Sequence, residues 1–216
     1  MKLSNLLFMS LCVGTLLVQF FLNLGYQKPY QEHLAFAKNQ GAKVTAFPSE
    51  DIKVVLARGL TFTVYGSQKQ QGFTKDTREA GVSFAMKGDT LLITPNKGVP
   101  QNTYYKFYFR QIPTLVLDDA HANVIAKSQA DWQVYVKKQG SLLVEQSSFE
   151  NLNAVVSDTS SLHLRADAKI NALTITLKDK SNLTDDGANL KTLKCGYVSD
   201  SAKINLSGKN IRAFVQ

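Results

Sequence analysis

The sequence predicts an all-β protein: a single-stranded β-solenoid, or parallel β-helix-like domain, with coils of about 20 residues, preceded by an N-terminal transmembrane helix. Three observations carry this. The segments SDTSSLHL (157–164), KDKSNLTD (178–185) and SDSAKINL (199–206) are variants of one another. Apolar and polar residues alternate with period 2 through the same region, and an uncharged apolar run occupies Leu3–Leu24 near the start of the chain.

In chain order, LSNLLFMSLCVGTLLVQFFLNL (Leu3–Leu24) is 22 residues without a charge. As a helix it would span roughly 33 Å, enough for a bilayer. A cleaved secretory signal is the rival reading, but its apolar core is shorter and a small-residue cleavage site follows closely, whereas the Ala35-Phe36-Ala37 triplet lies far downstream. Residues 1–25 are therefore expected to be a signal anchor that joins the protein to the membrane and leaves the bulk of the chain periplasmic or extracellular. Cys12 sits within the apolar run behind Leu11, which argues against lipidation. With Cys195 on the far side, no intramolecular disulfide is expected. Residues 26–46 lack alternation and read as a stalk or linker.

The rest, 47–216, reads as one domain. Ile52, Val54 and Leu56 share one face, then the chain turns near Arg58-Gly59 and resumes with Leu60, Phe62 and Val64, a hairpin-like pattern. VSFAM (82–86) and TLLIT (90–94) flank Lys87-Gly88-Asp89 as a second pair. YYKFYFR (104–110) places Tyr105, Phe107 and Phe109 on one face and Lys106, Tyr108 and Arg110 on the other, as a strand with a buried side would. The repeats follow. Asp158, Asp179 and Asp200 stand 21 residues apart, and Ser160, Ser181 and Ala202 keep the same register. Val156, Leu177 and Val198 precede the acids, and Leu162, Leu183 and Ile204 follow them, so these six form the expected repeat core. Gln139, Ser141 and Leu143 make a weaker copy, and Ala120, Ala122 and Val124 a fainter one. The alternation in LTITL (173–177) and the lack of room for a helix between units select strands over a βαβ arrangement.

FPSEDIKVVLARGLTFTVYGS, GVSFAMKGDTLLITP, IPTLVLDDAHANVIA and the stacked L-x-V-x-L units that follow resemble the family named putative auto-transporter adhesin, head GIN domain. The resemblance covers roughly residues 47–216, rests on pattern and order, and implies a β-helical envelope domain with no assigned reaction. One departure is visible: the family commonly turns its corners with glycine-serine-glycine, whereas this chain uses Asp158-Thr159-Ser160, Asp179-Lys180-Ser181 and Asp200-Ser201-Ala202.

Stacked strands lie about 4.8 Å apart, so Asp158, Asp179 and Asp200 could form a calcium ladder. No glycine-rich calcium nonapeptide is present, and corner hydrogen bonding is the simpler reading for these acids as well as for Asp118-Asp119 and Asp185-Asp186, taken as solvated corners. His33, His121 and His163 lack metal-ligand spacing, and no G-x-S-x-G, H-E-x-x-H or phosphate-binding glycine loop occurs. No cofactor and no catalytic residue is expected. The net charge of +8 is spread along the chain, with 11 basic against 6 acidic residues in 1–100 and 14 against 11 in 101–216. That pattern lacks a nucleic-acid footprint and suits an acidic polysaccharide or an envelope protein as partner. The sequence thus points to a membrane-anchored, non-catalytic binding, adhesion or scaffolding module. A carbohydrate-active enzyme on the same scaffold is the alternative.

Overall fold

In the computed structural model, Val44–Gln216 forms one of two compact units, and the described residues are 45–48, 51–66, 71–75, 81–98 and 104–214. The other unit, Met1–Lys43, lies outside them, as do the expected anchor over 1–25, most of the stalk, Cys12 and His33.

Two eight-stranded sheets make up the described unit. The long-strand sheet runs, in spatial order, β15 (Asn189–Val198), β13 (Lys169–Leu177), β11 (Ser148–Val156), β9 (Gln129–Lys137), β7 (Thr114–Asp118), β1 (Val54–Arg58), β5 (Thr90–Pro95) and β4 (Val82–Lys87). The short-strand sheet runs β16 (Lys203–Asn205), β14 (Asn182–Asp185), β12 (Ser161–Leu164), β10 (Ser141–Val144), β8 (His121–Ala126), β2 (Thr61–Gly66), β6 (Tyr104–Tyr108) and β3 (Gly72–Lys75). A single short helix, α1 (Gly208–Phe214), follows β16 among the described residues.

This architecture corrects the expected single-stranded solenoid. Pairing is mixed, parallel through most of both sheets but antiparallel at β4–β5 and β3–β6. Spatial order also departs from chain order, because β1 lies between β7 and β5, and β2 between β8 and β6. At β4–β5 the cause is local: Gly88, at φ +63°, closes a tight hairpin that doubles the chain back. With mixed pairing and non-sequential order, the two sheets are not the successive turns of one closed coil. The predicted β1–β2 hairpin is absent too. Gly59, at φ +59°, carries the chain around a corner, and β1 and β2 enter different sheets. The transmembrane helix is likewise corrected for the described part: no helix there is long and apolar enough to cross a membrane, and α1 has only 7 residues. The segment Leu3–Leu24 is outside the described residues.

Alternation decides which side chains enter the space between the sheets. In the short-strand sheet Leu142, Leu162, Leu183 and Ile204 align across β10, β12, β14 and β16. In the long-strand sheet Val136, Val156, Leu177 and Val198 do the same. Leu142, Val156, Leu162, Leu177 and Leu183 are fully buried, and each such side chain contributes about 2 kcal/mol of hydrophobic stabilisation. Val198 departs from its expected core role, at 37% exposed, and Ile204 is only partly covered, because both lie on the last strand of their sheet. Toward the other end, Phe47, Phe73, Phe84, Phe107 and Phe109 pack as a cluster, with Phe47 and Phe109 stacked at 5.0 Å. Trp132 stacks on Phe149 at 5.1 Å and donates from Nε1 to the Pro113 carbonyl at 3.0 Å.

Leu183→Asp puts an unpaired carboxylate between Leu162 and Ile204 and is expected to cost about 4 kcal/mol or more. Ser181→Ala has the opposite sign. The Ser181 hydroxyl is buried without a partner, so its removal is expected to be neutral or to stabilise by about 1 kcal/mol. Thermal or urea melts of both variants measure the pair.

Candidate functional site

The chain crosses from a long strand to a short one through four-residue turns that stack on one another. Lys137–Gly140, Ser157–Ser160, Lys178–Ser181 and Ser199–Ala202 each close with a backbone hydrogen bond from the fourth residue to the first, at 3.2, 3.1, 3.3 and 3.0 Å. The innermost position must be small. A Cβ added at Gly140 would stand 3.0 Å from the Ala120 and Lys137 carbonyl oxygens, and Ser160, Ser181 and Ala202 follow it in register.

The outer turn positions are left-handed. Asp119, Lys138, Gln139, Asp158, Thr159 and Asp179 all have φ between +53° and +65°. Paired left-handed residues at Lys138-Gln139 and Asp158-Thr159 have the backbone of type I′ turns, where Asp and Asn carry less strain than other residues with a Cβ. This supplies a backbone reason for the recurrence of Asp158 and Asp179. Asp200 has no positive φ and does not share it. Asp158 accepts from the Ser157 hydroxyl at 3.1 Å, and its backbone carbonyl takes the Gln139 amide at 3.0 Å.

Side chains on these turns line a shallow groove of about 560 Å³ formed by Asp119, Lys138, Gln139, Asp158, Thr159, Asp179 and Lys180. A hollow of about 310 Å³ continues from it through Asp119, lined by Gly59, Leu60, Thr61 and His121. The groove presents ammonium donors, carboxylate acceptors and one amide with both. It has no aromatic wall. Asp200 lies outside its lining, so of the three repeated acids only Asp158 and Asp179 reach it. A separate depression of about 800 Å³ is lined by Asp51, Ile52, Lys53, Gln71, Asp89, Arg110 and Gln111.

The expected solvated corners at Asp118 and Asp185 are corrected. Both carboxyls are buried, at 3% and 6% exposure, while Asp119 and Asp186 beside them face outward or partly outward. Asp118 accepts from Arg58 Nε at 3.0 Å and pairs with Lys138 Nζ at 3.0 Å. Burial alone would push its carboxyl up, but the bond and charge of Lys138, the charge of Lys137 and the Arg58 bond together hold it below the usual carboxylate range. Asp185 is a clamp. Its oxygens accept from the backbone of Gly187, Ala188 and Ser207, from the Ser207 hydroxyl at 2.6 Å and from Asn210 Nδ2 at 2.7 Å, which pins the start of α1 to the last rungs. Burial again opposes its charge, and the Ser207, Asn210 and Ala188 bonds outweigh it. Sequence reading missed both roles; the run Asp185-Asp186-Gly187-Ala188 before a strand was the available signal, as an Asx-type turn.

His121 and His163, the histidines among the described residues, engage different partners. His121 Nδ1 shares a hydrogen with the Ser141 hydroxyl at 2.7 Å. His163 Nε2 meets Asp186 Oδ2 at 2.5 Å on the outer surface. No three His, Cys, Asp or Glu side chains converge as a metal site would require, among the described residues. Cys195 is a partly buried free thiol packed against the core, its pKa pushed up by burial.

No family model and no curated protein matches the chain, and the head GIN domain resemblance stays one of pattern and order. Solved structures do align with it. A crystal structure described as a putative adhesin from Bacteroides fragilis shares 11% identity over 74% of this chain and 94% of its own, with a TM-score of 0.34. One described as a putative adhesin from Parabacteroides merdae shares 9% over 78% and 97%, at 0.37. A third, a putative cell adhesion protein from Clostridium sporogenes, shares 9% over 76% and 96%, at 0.29. At these values the likeness assigns no activity to this chain.

Two outcomes follow from the corner geometry. Asp158→Gly and Asp158→Asn are expected to keep stability within about 1 kcal/mol, whereas Asp158→Val forces a β-branched residue into the left-handed region and loses about 1–2 kcal/mol, measured by urea melts. The pH dependence rests on Asp118 and Asp185, whose folded carboxyls hold protons more weakly than the unfolded chain does. Their contribution is complete above about pH 4 and is lost as pH falls below it. Stability measured against pH should therefore drop on the acid side, and Asp185→Asn should flatten that limb.

Proposed function

We propose that this protein is a non-catalytic binding module of the cell exterior, of adhesin type, that holds an extended polar polymer along its stacked corners. The observation that carries the reading is the groove of about 560 Å³ whose lining comes from successive turns, so that donors and acceptors repeat along one direction. A linear ligand with repeating hydroxyls would meet a polar or charged side chain at each rung, about 4.8 Å apart. An enzyme of this class needs two carboxyls converging on one bond, one of them with its pKa raised to serve as acid. The perturbed carboxyls among the described residues, Asp118 and Asp185, are both lowered and both engaged in structural contacts. Adhesion also fits the polar outward row of the short-strand sheet, His121, Ser141, Ser161, Asn182 and Lys203.

Binding without turnover is the expected result when the purified protein is screened against soluble glycans and the same mixtures are assayed for new reducing ends. Lys138→Ala combined with Lys180→Ala should weaken the retained ligand by about tenfold, two lost charged hydrogen bonds being worth at least that. Reducing ends that appear with the parent and vanish with Asp158→Asn plus Asp179→Asn would instead make the groove an active site.

A further inference from the structure

We propose that the outer face of the long-strand sheet binds an acidic polysaccharide, laid across the strands beside the corner groove. This rests on the polymer-binding reading above and names the ligand class and the face it lies on.

Outward-facing residues of this sheet fall into rows. The middle row is apolar: Leu92, Leu56, Val116, Tyr135 and Val155 are in register across β5, β1, β7, β9 and β11, all partly exposed. It continues through Thr176 to Tyr197, which is 57% exposed. A contiguous solvent-facing apolar row of this kind suits a contact surface. In the short-strand sheet the outward row His121, Ser141, Ser161, Asn182 and Lys203 is polar, and among the described residues its apolar outward residues are confined to Leu143 and the shorter row Tyr108, Tyr65 and Ile125.

Cations flank the apolar row. On the corner side stand Arg58, Asp118 and Lys137 in register, followed by Ser157, Lys178 and Ser199, which the parallel backbone ladder stacks in turn. On the opposite side Lys87 and Lys194 mark the two ends of the sheet. Asp118 is the sole carboxylate in these rows among the described residues, and it is already neutralised by Arg58 and Lys138. Lys137 and Lys178 are separated by the single intervening strand β11, which sets them two strand spacings apart, roughly 10 Å. That is about the length of a disaccharide, so a chain with one carboxylate on every second ring could meet them in register. Its pyranose C–H faces would lie on Tyr135 and Val155, and Gln133, Asn153 and Thr174 offer hydroxyl partners in the next row. The groove alone would not select this ligand, since three carboxylates there face two ammonium groups. The face does.

The test uses the purified full chain with hyaluronan, which carries one carboxylate per two rings, and with neutral dextran, by isothermal titration at low and high salt. Hyaluronan should bind and dextran should not, with affinity falling as salt rises. Lys137→Gln with Lys178→Gln should reduce hyaluronan affinity at least tenfold, Tyr135→Ala at least fivefold, and Lys203→Gln on the other sheet less than twofold. Lys137→Arg with Lys178→Arg should retain binding, and unchanged melting temperatures exclude unfolding as the cause. An equal loss with Lys203→Gln would overturn the proposal, because diffuse charge would then explain the binding. So would binding to phosphatidylglycerol vesicles that the Lys137/Lys178 double variant abolishes while hyaluronan stays unbound. Failure with hyaluronan while a neutral glycan binds overturns this inference alone; failure with every polymer also removes the binding-module reading.

Discussion

In-register stacking of inward aliphatic side chains is the constraint from which the other features follow. No single rung of this protein buries its own apolar side. Leu162 is covered because Leu142 and Leu183 lie on the strands to either side of it, and Val156 because Val136 and Leu177 do. The hydrophobic contribution is therefore collective, and any side chain that fails to match the rung beside it exposes two neighbours. Register is held by the backbone ladder and by the fact that a slip of one residue would turn the aliphatic row to solvent.

Stacking also dictates the corners. Strands in both sheets must stay in phase, so each turn has to reverse direction in four residues and keep its inner side chain small. Gly140, Ser160, Ser181 and Ala202 satisfy the second demand, at the cost of two buried hydroxyls without partners. The first demand places residues in the left-handed region and points their side chains away from the core. Charge at the corner is thus a by-product of backbone geometry, and it is this by-product that lines the groove.

The ends of the stack need separate solutions, because the last rung has nothing beyond it. On one side the antiparallel strands β3 and β4 and the phenylalanine cluster close the sheets. On the other, α1 is clamped by Asp185 and packs against β15, with Leu190 and Leu193 almost fully buried. The remainder of β15 is protected differently. A register shift opposite Ile175 and Thr176 inserts Gly196, and Lys191 and Lys194 project from the strand, features that discourage pairing with another chain's edge.

The sequence by itself determined the secondary-structure class and much of the inward face. Period 2 with β-branched residues is a local property, and the alternation of Tyr105, Phe107 and Phe109 against Lys106, Tyr108 and Arg110 survives in the burial of the first three. Spacing of the acids located the corners, because turn chemistry is also local. What the sequence did not determine is the partner of each strand. Pairing of β1 with both β5 and β7, and of β2 with both β6 and β8, joins segments separated by tens of residues that carry no local signal of one another. Only tertiary structure decided that Asp118 would be buried between Arg58 and Lys138, and that Asp185 would receive α1. Asp118 and Asp119 are adjacent in the chain and alike in chemistry; Arg58 and Lys138 cover the first, and the corner leaves the second exposed.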